Sequence, residues 1–269
     1  MTDPIIIHDP SDPRIAAYRE IRERDLVGRE GLFVAEGEVV VRVLLERSIH
    51  APVSLLVAEK RLAALDRLTA GLPGGVPVYA AAQPVLDRIA GFPIHRGILA
   101  IGRRAPMPTA KALLDDSPRR AIVVVLYGIA NHDNMGGIFR NAAAFGAGAM
   151  LLDSDCCDPL YRKAIRVSVG AALTVPFARL ARGEDALSLL AGHGYEAVAL
   201  SPRGSSALRD LVRSDRVAAL FGAEGPGLPE AVLARARTVR IPMAGAMDSL
   251  NVATASGIVL HHLAAGGSP

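Results

Sequence analysis

The stretch that decides the fold reads AIVVVLYGIANHDNMGGIFRNAAAFGA and spans residues 121–147. Its opening run, 121–128, is almost entirely apolar, as in strands that are buried on both faces of a parallel sheet. A polar loop follows, and Asn134 then stands where a helix N-cap is expected, with Gly146 where the helix should end. A buried strand that leads through a polar loop into a capped helix is the repeating unit of α/β proteins.

The same alternation continues towards the C-terminus and predicts a parallel sheet with helical stretches between its strands. These further strands are predicted at 149–153, 173–178, 195–201, 217–222 and 238–243. We therefore expect an α/β domain over residues 119–269.

A second alternating pattern precedes residue 105 and predicts a small α/β domain over residues 1–104, with a sheet covered on both faces. Its strands are predicted at 31–37, 53–58, 76–81 and 97–103, and its helices at 15–24, 38–48, 61–71 and 83–91. The stretch 105–118 holds three prolines and paired acids without a strong period. We interpret it as a linker between the two domains.

The composition narrows the class of protein. The chain of 269 residues is 51% hydrophobic with a mean hydropathy of +0.30, which fits a sizeable core, and no apolar run reaches the ~18 residues of a membrane span. The opening residues MTDPIIIHDPSDPR lack the pattern of a signal peptide, so we expect a cytoplasmic protein without a membrane partner. The only cysteines, Cys156 and Cys157, are adjacent, which argues against a disulfide framework and a metal site.

The charge is mildly basic, at +3 with a pI of about 9.1, which is compatible with a nucleic-acid partner. Of the 30 basic residues only Lys60, Lys111 and Lys163 are lysines. Arginine suits phosphate and base recognition because its planar fork donates two parallel hydrogen bonds. A coding bias towards arginine explains the same count equally well.

Three polar loops with glycines follow predicted strands, and ligands of open α/β sheets bind at the carboxyl ends of strands. The first loop places Gly136 and Gly137 in the first turn of a helix, where each costs ~1 kcal/mol relative to alanine. That cost is explained if another part of the protein packs against the bare backbone. Arg140, in the next turn, then points towards the same helix end; the alternative is a capped helix with an exposed arginine.

The second loop lies at 220–236 and contains Gly222, Glu224, Gly225 and Gly227. Its glycines are spaced GxxGxG, which differs from the GxGxxG dinucleotide fingerprint, and the sequence has no GxxxxGK[ST] phosphate loop. A loop of this kind can wrap an adenosine-like ligand through backbone groups. On its own, Glu224 is more simply explained as a solvated side chain.

The third loop precedes the apolar C-terminal helix, where Ser249 and Asn251 bracket Leu250. The plain explanation is capping of that helix by Ser249, which is worth about 1 kcal/mol. Two polar side chains at the opening of an apolar helix also suit a ligand site, and the stretch alone leaves both explanations open.

Together, and in this order, the three loops resemble the signature motifs of the SpoU/TrmH family of SPOUT RNA 2′-O-ribose methyltransferases. The motifs read NHDNMGGIFRNAAAFGA (131–147), LFGAEGPGLPE (220–230) and IPMAGAMDSLNVATASGIVL (241–260). The resemblance covers residues 121 to about 264. The stretch GLFVAEGEVVVRVLLE (31–46) resembles the L30e-like substrate-binding domain that often precedes this catalytic domain.

The resemblance implies a parallel sheet with a deep trefoil knot, a bent S-adenosyl-L-methionine held by the knot loops, and a homodimer with the active site at the subunit interface. It implies catalytic roles for Asn134, Arg140, Glu224, Ser249 and Asn251. The cofactor-binding positions that it implies are Leu200, Ser201, Gly222, Ala223, Glu224, Gly225, Ile241, Met243 and Leu250.

One residue departs from the family pattern, because His132 stands where members commonly have a proline in the first motif. In the family mechanism Arg140 takes the proton of the ribose hydroxyl, although a guanidinium is normally locked in its charged form. A second role for Arg140 is to position the neighbouring phosphate and stabilise the developing alkoxide. The sequence leaves both roles open.

We therefore expect an S-adenosyl-L-methionine-dependent enzyme that methylates a ribose 2′-hydroxyl in structured RNA. Ribosomal RNA is favoured over transfer RNA, because the extra N-terminal domain is commoner in ribosomal members of the family. The alternative is a non-catalytic RNA-binding or ribosome-assembly module that keeps the fold. A nucleotide-dependent oxidoreductase is disfavoured, since no GxGxxG follows an early strand.

Overall fold

The computed structural model describes residues 3–19, 23–64, 72–90, 97–244 and 249–265. The chain divides into two compact units: the first comprises residues 1–106 and 159–174, and the second comprises residues 107–158 and 175–269. The domain boundaries expected from the sequence stay predictions. No helix among the described residues has the length and apolar character needed to cross a membrane.

The helices and strands alternate along most of the chain. In chain order they are β1 (Ile5–Ile7), α1 (Glu23–Gly28), β2 (Leu32–Glu36), α2 (Glu38–Glu46), β3 (Ala51–Ala58), β4 (Val78–Ala81), α3 (Gln83–Ala90), β5 (Ile98–Arg103), α4 (Ala110–Asp115), β6 (Ala121–Tyr127), α5 (His132–Ala144), β7 (Ala149–Leu152), α6 (Arg162–Val167), β8 (Phe177–Arg179), α7 (Ala186–Gly192), β9 (Glu196–Leu200), β10 (Ser206–Ala207), β11 (Arg216–Gly222), α8 (Glu230–Leu233), β12 (Arg237–Arg240) and α9 (Val252–Ala265). Short 3-10 helices lie at Pro13–Tyr18, Glu59–Ala64, Ala171–Leu173 and Leu208–Asp210.

The first unit is built on a mixed sheet with the strand order β1-β4-β3-β5-β2 among the described residues. Strands β1, β4 and β3 run parallel, and β5 runs antiparallel to both β3 and β2. Helix α6 packs on β2. The buried Glu36 lies 3.7 Å from Arg162 and 3.7 Å from Arg166, and these two cations offset the cost of burying a carboxylate.

The second unit is built on a parallel sheet with the strand order β10-β12-β9-β11-β6-β7-β8 in the described part of the chain. Its central strands β6 and β11 are buried over 121–126 and 217–221, which confirms the parallel strands predicted from continuous apolar runs. Ala110 and Leu114, from the predicted linker, belong to the same core. The trefoil knot stays a prediction.

Three predicted elements differ from the structure. The helix predicted at 15–24 begins instead as a 3-10 helix, with Pro13 in its first turn, and α1 starts at residue 23; residues 20–22 lie outside the described part. The helix predicted at 61–71 is a 3-10 helix as far as Ala64, and residues 65–71 are likewise not described. The strand predicted at 173–178 starts only at Phe177, after a proline that cannot donate to a ladder.

Both helix caps predicted at the motif loops are wrong by two or three residues. Asn131, not Asn134, caps α5, because its Oδ1 accepts hydrogen bonds from the N–H groups of residues 133 and 134 at 2.8 and 3.2 Å. Asn251, not Ser249, caps α9 through hydrogen bonds from residues 253 and 254 at 2.9 and 3.2 Å. The end of α5 is confirmed, since Gly146 follows it with a φ of 71°.

Helices α5 and α9 pack closely where the sequence places a glycine. A Cβ at Gly137 would lie 2.7 Å from the Cβ of Ala253. The Asn141 amide donates to the Ala253 carbonyl at 2.7 Å and to the Ser256 hydroxyl at 2.9 Å. The bare backbone at Gly137 is therefore used for helix packing, as the unfavourable glycine in a helix predicted.

This contact predicts the stability of three variants. We expect Gly137→Ala to lower the melting temperature by about 2–4 °C, because the added methyl overpacks the contact by more than the helix propensity of alanine returns. Adding Ala253→Gly removes the opposing methyl and restores most of the loss. Thermal unfolding followed by circular dichroism measures both.

The matched control is Gly192→Ala in α7, where nothing lies within 4 Å of the new Cβ. This variant should melt at or slightly above the wild-type temperature. If Gly137→Ala raised the melting temperature as much as Gly192→Ala, the proposed overpacking between α5 and α9 would be contradicted.

Candidate active site

An open cleft of about 750 Å³ lies at the carboxyl ends of β9, β11 and β12. Its described lining comes from the segment 200–203, which follows β9, from the segment 221–228, which follows β11, and from residues 241, 243 and 249–251. Helix α8 adds Glu230 and Leu233, and helix α9 adds Val252 and Ala255. We call this cleft the large cleft. Its volume lies in the range of small-molecule sites, and its place at the strand ends is where α/β sheets bind ligands.

The second of these segments, 221–228, forms a tight loop at the end of β11. Ala223 and Gly227 pair across it, with the Gly227 N–H donating to the Ala223 carbonyl at 3.0 Å. A Cβ at Gly222 would lie 2.2 Å from the carbonyl carbon of Gly227 and 2.3 Å from the backbone nitrogen of Leu228. Only glycine lets the strand pass so close to the returning loop.

The residues that the sequence singled out converge on this cleft. All nine positions expected to bind a cofactor line it, namely Leu200, Ser201, Gly222, Ala223, Glu224, Gly225, Ile241, Met243 and Leu250. Ser249 and Asn251 line it as well. Arg203, Phe221 and Glu230 line the cleft as well, and they were not among the site residues predicted from the sequence.

Three polar side chains from the three motifs meet beside the large cleft. The Asn251 amide donates to Asn134 Oδ1 at 2.8 Å and to Glu224 Oε1 at 2.9 Å. Asn134 is only 6% exposed, while Glu224 and Asn251 are open to solvent. We call these three residues the Asn251 cluster.

A smaller recess of about 200 Å³ is lined by two residues of the Asn251 cluster, Asn134 and Glu224. Ala223 and Glu224 line both hollows, and Asn134 lines the small recess. The remaining wall is the loop 128–131, which connects β6 to α5. Glu224 therefore lines both hollows, while Asn251 lines only the large cleft and Asn134 only the small recess.

The wall of the small recess is held by residues that the sequence analysis missed. Asp153, at the end of β7, accepts hydrogen bonds from the N–H groups of Gly128 and Cys156, each at 2.9 Å. The Arg179 guanidinium donates to the carbonyls of Asp153 and Cys156, each at 2.9 Å. The only signal available from sequence was a carboxylate at the end of a predicted strand.

The two cysteines near this wall do not supply a nucleophile. Burial, aided by the nearby Asp153 carboxylate, raises the pKa of the Cys156 thiol to about 12. Burial also raises the pKa of Cys157 to about 12, so both thiols stay protonated at neutral pH. In the described part of the chain no group of three metal-ligating side chains is close enough to hold an ion.

Arg140 is not brought into the Asn251 cluster. It is exposed on α5 and lines neither hollow. Helix geometry explains this, because six residues at about 100° each turn Arg140 away from the face that carries Asn134. His132 is the first residue of α5, a position whose N–H needs no helical partner, so a histidine fits where the family often has proline.

Comparison with known proteins extends these observations. The model of the SpoU rRNA Methylase family matches residues 121–261. An uncharacterized tRNA/rRNA methyltransferase of Mycobacterium bovis is 40% identical over 262 residues, which cover 94% of this chain and 89% of that protein.

Two solved structures match nearly the whole chain. The crystal structure of an AdoMet-bound rRNA methyltransferase from Sinorhizobium meliloti has a TM-score of 0.83 and 26% identity, with 98% of each chain covered. The crystal structure of an RNA 2′-O ribose methyltransferase has a TM-score of 0.78 and 26% identity, with 97% of this chain and 99% of that chain covered. The family model, the full-length relative and the shared fold agree, and the chain belongs to the SpoU rRNA Methylase family.

Proposed function

We propose that this protein transfers a methyl group from S-adenosyl-L-methionine to a ribose 2′-hydroxyl of structured RNA, with ribosomal RNA favoured over transfer RNA. The observation that carries the proposal is the convergence of three motif loops on one cleft, with the Asn251 cluster at its edge. Membership of the SpoU family, and relatives named as AdoMet-bound rRNA and 2′-O ribose methyltransferases, support it.

The large cleft fits the cofactor in size, polarity and backbone geometry. Leu200, Ile241 and Leu250 offer apolar contacts for an adenine ring. Residues 241–244 and 249–250 lie outside helices and strands, so their backbone N–H and C=O groups are not taken up by a ladder and can bind a purine edge. When bound, S-adenosyl-L-methionine supplies a methyl group that its sulfonium charge has already activated.

The Asn251 cluster is proposed to orient the ribose. Because Asn251 fixes Glu224 Oε1, the other carboxylate oxygen is left to accept a hydrogen bond from a ribose hydroxyl. Asn134 fixes the second amide hydrogen of Asn251, so the three side chains hold one arrangement before substrate enters. Such preorganisation lowers the entropic cost of aligning the hydroxyl with the methyl group.

Arg140 is proposed to bind the phosphate next to the target ribose and to stabilise the alkoxide that develops there. A guanidinium stays charged at neutral pH, so it suits this role better than that of a base. Since Arg140 is exposed and lies outside the large cleft of its own chain, we also propose that the protein acts as a homodimer in which Arg140 serves the partner's cleft.

The central experiment measures transfer of radiolabelled methyl from S-adenosyl-L-methionine to total RNA from a strain deleted for this gene. We expect label from the wild-type protein and at least a tenfold lower rate from Arg140→Ala, the loss typical of a removed transition-state contact. Alkaline hydrolysis should leave the label in dinucleotides, because a 2′-O-methyl group blocks cleavage of the adjacent phosphodiester. Separation of ribosomal and transfer RNA then identifies the substrate.

Arg209→Ala is the control, since Arg209 is exposed, pairs with Asp210 and does not line the large cleft. This variant should keep the wild-type rate. Label that alkali releases as mononucleotides would place the methyl group on a base and contradict the proposal. Absence of both label and cofactor binding would favour the non-catalytic RNA-binding alternative.

A second prediction separates the two functions of Asn251. Asn251→Asp keeps an oxygen that caps α9 but cannot donate to Asn134 and Glu224. We expect the α9 cap to be kept, because Asp is as good an N-cap as Asn, and the free energy of unfolding to fall by no more than about 1 kcal/mol from repulsion between the new carboxylate and Glu224, since both groups are exposed and solvent screens them. The methyl-transfer rate should fall at least tenfold, because the cluster loses both of its fixed hydrogen bonds.

Asn251→Ala is the comparison, since it loses the cap as well. It should be destabilised by about 1 kcal/mol in urea unfolding and be no more active than Asn251→Asp. Wild-type activity in Asn251→Asp would show that donation by Asn251 is not needed.

A further inference from the structure

One cationic side chain of the large cleft has no place in the mechanism above. Arg203 follows β9 and lines the cleft together with Glu224 and Glu230. Among the lining residues in the described part of the chain it is the only lysine or arginine. The charged side chains of the cleft are thus two carboxylates and one guanidinium.

The loop that carries Arg203 is fixed to its neighbours. A Cβ at Gly204 would lie 2.2 Å from the carbonyl carbon of Val239, so the loop lies directly on β12. Ser205 donates from its N–H to Thr238 Oγ1 at 3.1 Å and from its hydroxyl to the Thr238 carbonyl at 3.0 Å. The backbone of Arg203 is therefore held in place beside the cleft.

Neighbouring arginines have protein partners for their guanidinium groups, whereas the Arg203 guanidinium has no hydrogen bond or ion pair in the part of the chain that the structure describes. Arg240 donates to the Gly204 carbonyl at 2.7 Å, Arg237 pairs with Glu196 at 3.2 Å and Arg235 pairs with Asp185 at 3.0 Å. A guanidinium that lines a cleft and is bound to no protein group is available to an anionic ligand.

We propose that Arg203 binds the carboxylate of the methionine part of S-adenosyl-L-methionine; this inference rests on the proposed function. The free cofactor carries two positive groups, the sulfonium and the ammonium, and one negative group, the carboxylate. The charged side chains that line the cleft complement this set, since Arg203 can pair with the carboxylate and Glu230 with a cationic group. A carboxylate also matches the planar fork of arginine, which can bind both oxygens at once.

The test compares two ligands that differ only in the carboxylate. Isothermal titration calorimetry gives the Kd of S-adenosyl-L-methionine and of its decarboxylated analogue for the wild-type chain and for Arg203→Ala. We expect wild type to bind the complete cofactor at least about tenfold more tightly than the analogue, as a charged hydrogen bond provides. In Arg203→Ala the ratio of the two Kd values should fall below about threefold. The substitution weakens binding of the complete cofactor but not of the analogue, which has no carboxylate for Arg203 to bind.

Two further variants test whether the effect requires the guanidinium group and this position. Arg203→Lys should give an intermediate ratio, since a lysine keeps the charge without the fork. Arg209→Ala, outside the cleft, should keep the wild-type ratio. Both readouts are binding constants, so they do not depend on turnover.

Four outcomes would overturn the proposal. An unchanged ratio in Arg203→Ala would show that the carboxylate binds elsewhere. The same unchanged ratio together with weaker binding of the RNA substrate would assign Arg203 to an RNA phosphate. Failure of wild type to bind either ligand would reject the proposed function as well, whereas binding with equal Kd for both ligands would reject only the assignment of Arg203.

Discussion

The site depends on the hydrogen bonds of the Asn251 carboxamide, because its oxygen and its amide nitrogen each bind other parts of the chain. Its oxygen accepts hydrogen bonds from the N–H groups of Ala253 and Thr254 and thereby starts α9. Its two amide hydrogens go to Asn134 and Glu224. One side chain thus joins the beginning of the last helix to the first turn of α5 and to the loop that follows β11. A polar network of this kind favours a single arrangement, and loss of Asn251 leaves Asn134 and Glu224 without this donor.

The contact between α5 and α9 fixes the positions of Asn134 and Asn251 relative to each other. Helix α5 carries Asn134 and lies against α9, which Asn251 caps. Gly137 allows the close approach, and Asn141 hydrogen-bonds across the contact. On the other side, Asp153 and Arg179 hold the wall of the small recess through backbone groups. The proposed chemistry therefore uses exposed side chains on a buried support, which is how a site can be open to substrate and still be rigid.

The sequence predicted the parts of the structure that local patterns determine. The strands β6 and β11 are buried on both faces, so their apolar runs identify them without knowledge of the fold. The N-cap residues were predicted wrongly because each helix start has two suitable side chains. These are Asn131 and Asn134 at α5, and Ser249 and Asn251 at α9. The choice depends on the hydrogen bond between Asn134 and Asn251, which are 117 residues apart. Arg203 belongs to none of the three motifs, and its place at the large cleft depends on how its loop lies on β12.

A crystal structure of the chain with S-adenosyl-L-homocysteine tests the central claim most directly, namely that the large cleft beside the Asn251 cluster is the cofactor site. We predict electron density for the ligand between Leu200, Gly222, Ile241 and Leu250, with the hydrogen bonds of Asn251 intact. Density for the ligand at another place, or an empty large cleft at a saturating ligand concentration, would contradict the account.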